Sequence, residues 1–183
     1  MRGGAERIRR GAAACLMGGI VLLSASACSP ELRPIVAVSV DERGTPRALL
    51  RSCDDGWVRS PRLRGEPTPP SAAPSSPVGT PAPSAPPSAP AWVGWNTDED
   101  HRAADFPLFT PPVEWKADFR GTPSLRPGYT YALRFWEPDD ALAYAGEVTF
   151  DAEDLARLEP GQVLTFQGVM TRDAFEEAAE DAC

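Results

Sequence analysis

Apolar and polar residues alternate most regularly in the second half of the chain. In Val113-Glu114-Trp115-Lys116-Ala117-Asp118-Phe119-Arg120 every odd residue is apolar and every even one charged. A period of two predicts a strand with one face packed and the other in water. Tyr129-Thr130-Tyr131-Ala132-Leu133-Arg134-Phe135 repeats the pattern, with Tyr129, Tyr131, Leu133 and Phe135 inward. Tyr144 to Phe150 and Val163 to Val169 predict further strands. Towards the N-terminus, Ile35-Val36-Ala37-Val38-Ser39-Val40 is a run rich in β-branched residues. A turn at Asp41-Glu42-Arg43-Gly44, a strand at Ala48-Leu49-Leu50 and a turn at Asp54-Asp55-Gly56 before Trp57-Val58 follow it. One-sided strands of this kind pair antiparallel.

Two segments switch to helical spacing. Asp151 is placed to cap a helix over Ala152 to Leu158, with Glu153 and Asp154 in its first turn and Pro160-Gly161 as its stop. Thr171 caps a second helix over Arg172 to Ala182, where Phe175, Ala178, Ala179 and Ala182 share one face. The expected fold class is mainly β: an antiparallel β-sandwich-like domain with a short helix and a C-terminal helix, the latter docked on the sheet.

Composition divides the chain. Pro61 to Pro90 holds eleven of the twenty-one prolines, interleaved with Ser, Ala, Thr and Gly, and has no aromatic residue. Proline fixes φ and lacks a donor, so residues 61–90 are expected to form a disordered linker. Residues 28–60 and 91–183 then flank it. Cys53 stands before the linker and Cys183 is the last residue. A bond between them would force the N-terminal strands onto the C-terminal body, giving one discontinuous domain with the linker looped out.

The first residues supply an address. Arg2, Arg7, Arg9 and Arg10 stand against a single Glu6, and Gly11 to Ala27 carries no charge. This is the layout of a signal peptide, and its apolar part falls short of the roughly 20 residues of a membrane span. Ala25-Ser26-Ala27-Cys28 resembles the lipobox of bacterial lipoproteins, with Ala25 where leucine is usual. The resemblance implies cleavage after residue 27 and acylation of Cys28, with a lipid bilayer as partner and the outer face of the cell membrane as location. The same Ala-Ser-Ala also satisfies the rule for a soluble secreted protein. That product would keep Cys28, Cys53 and Cys183 as three thiols, an odd number outside the cell, whereas lipidation of Cys28 leaves a pair.

Without the leader the chain carries 18 − 4 = 14 basic and 26 − 1 = 25 acidic residues, a net of −11, which argues against a nucleic-acid partner. The acid is concentrated after residue 90, with seven basic against nineteen acidic residues, while residues 31–66 are balanced at seven against six. Lys116 is the only lysine, as in chains from G+C-rich genomes.

Two resemblances bear on architecture. Leu125-Arg126-Pro127-Gly128-Tyr129-Thr130-Tyr131 resembles the tyrosine corner of fibronectin type III and related immunoglobulin-like sandwiches, which implies a local bond from the Tyr131 hydroxyl back to the corner. The match covers seven residues, and the helices after Phe150 depart from that family. End to end, the leader, the Pro-Ile-Val-Ala-Val strand, Ala-Leu-Leu-Arg before Cys53, Phe-Asp-Ala-Glu-Asp-Leu-Ala-Arg-Leu-Glu-Pro-Gly-Gln and the acidic terminal helix resemble the small uncharacterised exported lipoproteins of actinobacteria. That resemblance implies no activity.

Catalytic signals are sparse. His101 is the only histidine, and no Gly-x-Ser-x-Gly, phosphate loop or Cys/His metal spacing occurs. No cofactor is expected. Asn96, Asp98 and Asp100, with Asp105 beyond, begin like a calcium loop, but His101 replaces its glycine and Pro107 its bidentate glutamate. A solvated loop is the simpler reading of these residues. Among Trp92, Trp95, Trp115 and Trp136, Trp115 belongs with the core, while Trp136 is out of phase with Tyr131 and Phe135 and is the candidate surface-binding aromatic. The expected function is a non-catalytic envelope binding module for a protein or polysaccharide. The alternative is a hydrolase of cell-wall polymers acting through two carboxylates.

Overall fold

In the computed structural model, which describes residues 31–53, 56–69, 92–136 and 144–183, the alternating strands and the unbroken apolar run occupy different places. Strands β1 (Glu31–Leu32), β2 (Val36–Val40), β3 (Pro46–Leu50) and β4 (Trp57–Pro67) come first. They are followed by β5 (Val93–Asn96), β6 (Asp100–Arg102), β7 (Asp105–Pro107), β8 (Asp118–Arg120), β9 (Tyr129–Trp136) and β10 (Tyr144–Phe150). Helix α1 (Ala152–Ala156), strands β11 (Gln162–Thr165) and β12 (Gly168–Thr171), and helix α2 (Arg172–Asp181) complete the order. The expected lipidation residue Cys28, the leader and residues 70–90 of the expected linker lie outside the described residues, and no helix among those described is long and apolar enough to cross a membrane.

The fold is mainly β and sandwich-like. One sheet runs β1-β10-β9-β4-β5-β8 with β6 also on β4, and the other runs β12-β11-β2-β3-β7. All pairs are antiparallel except β1 with β10, which is parallel, a departure from the all-antiparallel expectation. The core joins Leu63, Trp95, Tyr131, Leu133, Phe135, Val148 and Phe150 of the large sheet to Val36, Val38, Ala48, Leu50 and Phe106 of the small one. Behind the small sheet, Ala37, Leu49 and Val163 meet Phe175 of α2. Both faces of β2 are therefore covered, which is why its sequence shows no alternation. β9, covered on one face, keeps a strict period, with Tyr131, Leu133 and Phe135 buried.

Local chemistry fixes the ends of the helices. The Asp151 carboxylate accepts from the amides of Glu153 and Asp154, while the Asp154 carboxylate accepts from the amide of Asp151, a reciprocal box that closes the start of α1. Thr171 Oγ accepts from the amide of Ala174 at 3.2 Å and begins α2. Arg51 then grips Glu176 through two hydrogen bonds of 2.6 and 2.5 Å, tying α2 to the end of β3. Hydrogen bonds from Arg51 hold the Glu176 carboxyl below its usual range against the opposing effect of burial. The Tyr131 hydroxyl donates to the carbonyl of Ser124 at 2.8 Å and accepts from the amide of Arg126 at 2.9 Å, so it makes the local bond expected of it.

Three expectations need correction. The strict alternation of residues 113–120 is not one strand: Val113–Trp115 is a single 3-10 turn and only Asp118–Arg120 pairs, at the sheet edge. Pro111 and Pro112 supply no amide donors, and Lys116 adopts a left-handed φ of 46°, so the chain turns and drops Trp115 into the core while Val113 stays 91% exposed. The linker does not begin at Pro61, because β4 runs on to Pro67. Pro61 is accommodated where the register shifts between Arg59 and Arg62, a bulge at which Ser60 has φ 48°, and its carbonyl accepts from the amide of Thr97. Residues 163–169 form a hairpin, with Leu164 opposite Val169, rather than one strand.

Strands from both sides of the proline-rich segment are interleaved. β4 lies between β9 and β5, and β2 and β3 lie between β11 and β7. Cys53 and Cys183 are joined by a disulfide, with Cα atoms 4.9 Å apart across 130 residues of sequence. Beside it Arg33 donates to the carbonyl of Ala182 at 2.5 Å, at the C-terminus of α2. Closing so long a loop contributes about 4 to 5 kcal/mol in the chain-entropy account. Reduction and alkylation are expected to lower unfolding free energy by roughly that amount in denaturant titrations, with the β-rich circular dichroism spectrum retained in water. A midpoint unchanged by reduction would count against this role.

Candidate functional site

Alternation leaves a row of side chains on the outer face of the large sheet. Beyond the bulge in β4, Leu63 and Gly65 are buried, so Arg62 and Arg64 point outward. On β9 the outward positions are Thr130, Ala132, Arg134 and Trp136, and on β5 they are Gly94 and Asn96. Register places Arg62 opposite Arg134 on one side and Asn96 on the other, while Arg64 stands opposite Ala132 and Gly94. Gly94 in turn faces Arg120. A Cβ at Gly94 would meet the Leu63 carbonyl oxygen at 2.0 Å, and its φ is +145°, so only glycine fits between Arg64 and Arg120.

The guanidinium groups lie on aromatic rings. Arg62 sits 4.1 Å and Arg134 5.3 Å from the ring centre of Trp136, the aromatic singled out by its phase. Arg64 and Arg120 sit 5.6 and 5.1 Å from that of Trp92. Such contacts hold guanidinium planes in place on a solvated surface. Arg64 meets Glu66 at 2.6 Å and Arg134 meets Glu147 at 3.9 Å, whereas Arg62 and Arg120 have no carboxylate within 4.0 Å among the described residues. The Nε of Arg62 is buried and has no hydrogen-bond partner. Burial, and after it the positive charges of Arg134 and Arg64, press the Arg62 pKa downward.

Two open depressions follow this row. One, of about 240 Å³, is lined by Arg62, Arg64, Arg134, Trp92 and Trp136 and also by Asp98. The other, of about 590 Å³, shares Arg64 and Arg134 and continues past Thr130 and Ala132 to Pro69, with Glu66 on its side. Together they make a groove along β4 and β9. Compared with protein-family models, curated proteins and solved structures, the chain matches none.

The residues suggested by the calcium-like spacing are separated by the fold. Asn96 lies on the large sheet beside Arg62, and Asp98 is exposed in the connection to β6. Asp100 pairs with Arg59 at 3.3 Å. Asp105 belongs to the small sheet, where Arg47 and Arg172 hold its two oxygens at 2.7 and 2.6 Å. Burial works to raise the Asp105 pKa, but the hydrogen bonds from Arg172 and Arg47 prevail and it lies below the usual carboxylate value. Among the described residues no three His, Cys, Asp or Glu side chains are grouped to hold a metal ion. The acidic segment from Asn96 has instead a structural use: Thr97 and Glu99 bond the backbone at the β4 bulge, and residues 100–102 pair with β4.

His101 is part of the core rather than of this face. It is buried, with its ring stacked 4.8 Å from that of Trp115, and Nε2 has no partner. Burial lowers its pKa despite the attraction of Glu99, Asp100 and Glu114. The folded state thus favours neutral imidazole, and stability is greatest above the unfolded value of about 6.5. Below it the unfolded chain takes a proton that the folded chain resists. Denaturant unfolding is expected to show a loss of stability between pH 7.5 and 5.5, reduced in His101→Phe, which keeps the stack without a titrating group. An equal loss in the two proteins would contradict this.

Proposed function

We propose that this chain is an exported, lipid-anchored envelope protein that works by binding rather than by catalysis. The observation that carries the reading is the outward row of Arg62, Arg64 and Arg134 on the middle strands of the large sheet, continued by Arg120 on its edge strand, against Trp136 and Trp92. Arginine and tryptophan are the side chains most concentrated at recognition hot spots. Arg62 and Arg134 stand directly opposite one another, an arrangement that costs stability in a sheet. A cost of this kind on an exposed face points to a ligand that relieves it.

A hydrolase needs a different arrangement, a carboxylic acid with a raised pKa across a cleft from a second carboxylate. Asp41, Asp105 and Glu176 are all driven the other way, Asp41 chiefly by the amide of Thr45. Glu147 and Asp154 do border one depression, but Asp154 is engaged by the α1 cap and by Arg157 at 2.5 Å. These features support binding over hydrolysis.

The anchor half of the reading rests on Ala25-Ser26-Ala27-Cys28 and is supported by the pairing of Cys53 with Cys183, the two cysteines that lipidation of Cys28 would leave. With Cys28 only three residues before β1, the folded body would stand close to the bilayer. In a bacterial host with lipoprotein processing, wild type is expected in the membrane fraction with an acylated N-terminal peptide by mass spectrometry. Cys28→Ser is expected in the soluble exported fraction without it. Equal membrane retention of Cys28→Ser would overturn the anchor, and a polymer-cleaving activity lost on changing Glu147 or Asp154 would overturn the non-catalytic reading.

A further inference from the structure

The groove on the large sheet has features that narrow its ligand. Its floor is small at Ala132, beside Arg64, and the arginines form its polar wall. The two depressions share Arg64 and Arg134 and lie end to end, so the opening is long and shallow rather than a closed pocket for one small molecule. At its far end the Thr68 and Thr130 hydroxyls are 2.9 Å apart, offering donors and acceptors to a hydroxyl-bearing ligand. The charge is locally reversed. Beyond residue 90 the chain has nineteen acidic and seven basic residues. Three of those seven, Arg120, Arg126 and Arg134, stack on Trp92, Tyr129 and Trp136 on or beside this sheet. Among the described residues Arg62, Arg64 and Arg134 line the groove against Glu66 and Asp98, which leaves the lining positive, while Arg134 also meets Glu147, and Arg120 and Asp118 stand outside it on the edge strand.

We propose that this groove binds an acidic glycan, with phosphate or carboxylate oxygens carried on successive sugars received by Arg62 and Arg134 and, further along β4, by Arg64. The inference rests on the reading of the chain as a binding module and is independent of the lipid anchor. Guanidinium forks match the two oxygens of either oxyanion. An anion between Arg62 and Arg134 would also turn their mutual repulsion into shared attraction. Hydroxyl-rich sugar backbones suit the threonine end, and the tryptophan edges bordering the groove offer apolar surface to ring faces. The acidic remainder of the surface would repel a polyanion that approached anywhere else.

The test titrates the purified full chain in detergent, following tryptophan fluorescence, with a phosphate-bearing mannan, with polygalacturonate and with neutral dextran at matched ionic strength. Saturable binding to one of the acidic polymers and none to dextran is expected. The polymer bound more tightly identifies phosphate or carboxylate as the recognised group. Arg62→Gln with Arg134→Gln is expected to weaken that binding at least tenfold, and Arg62→Lys to weaken it less. Arg43→Gln, in the turn between β2 and β3, is expected to leave it unchanged, and raised salt should weaken it in wild type. Thermal unfolding of each variant establishes that it is folded, with Arg62→Lys serving as the readout if the double variant is not. Absence of binding to both acidic polymers, or binding unchanged in the folded arginine variants, would overturn the proposal. Tighter binding of single-stranded DNA than of either polymer would overturn the glycan assignment. Sedimentation of the wild-type chain with isolated envelopes separates the two readings: envelope binding without polyanion binding defeats only this inference, and absence of both defeats the binding module itself.

Discussion

Backbone pairing of Arg62 to Glu66 in β4 with β9 is the contact on which the outer face depends. It fixes the register that sets Leu63 over Leu133 inside and Arg62 over Arg134 outside, and a slip of one residue would exchange the two faces. The same strand pairs with β9, which ends in Trp136, and on its other edge with β5, which follows Trp92, so both tryptophan-bearing margins of the groove are positioned from it. Gly65 lets β4 and β9 pack closely at this point. A Cβ there would meet the Tyr131 ring at 2.4 Å, and that ring, stacked on Phe150 at 5.5 Å, carries the hydroxyl that pins the preceding loop.

Charged groups on the two sheets are used differently. Around the small sheet, Arg47 and Arg172 converge on Asp105, and Arg51 takes both oxygens of Glu176, so each buried or half-buried cation has its acceptor. These pairs fasten α2 and β7 and leave little binding capacity. On the outer face of the large sheet Arg62, Arg64, Arg120 and Arg134 meet only Glu66 and Glu147 among the described residues, and aromatic rings provide part of the compensation. The first arrangement is that of a closed structural network, the second that of a surface prepared for an anion.

Much of the architecture was legible from local chemistry. The covered strand β9, the caps Asp151 and Thr171, the Tyr131 bond and the cysteine pair follow from rules that act over a few residues or from simple arithmetic. Residues 113–120 misled because alternation carries no information about the two prolines before it or the left-handed Lys116 within it. β4 was hidden by composition. Prolines at its bulge and end gave it the character of the linker that follows, although Arg62-Leu63-Arg64-Gly65 alternates as a half-buried strand does. The arginine face was missed with it, since Arg62, Arg64, Arg120 and Arg134 are far apart in sequence and meet only through sheet register. Trp136 was the one member that its phase exposed.

Strands before and after the proline-rich segment build one interlocked sandwich, with β4 between β9 and β5, and this frame holds the groove. The most direct test is to place a specific protease site within residues 70–91 of the purified chain, cut it, reduce the disulfide and measure the size of the product without denaturant. Interleaved sheets predict that both fragments stay together after reduction, with the native circular dichroism spectrum, and separate only on unfolding. Fragments that part as soon as the Cys53 to Cys183 bond is reduced, each keeping its own structure, would contradict the account.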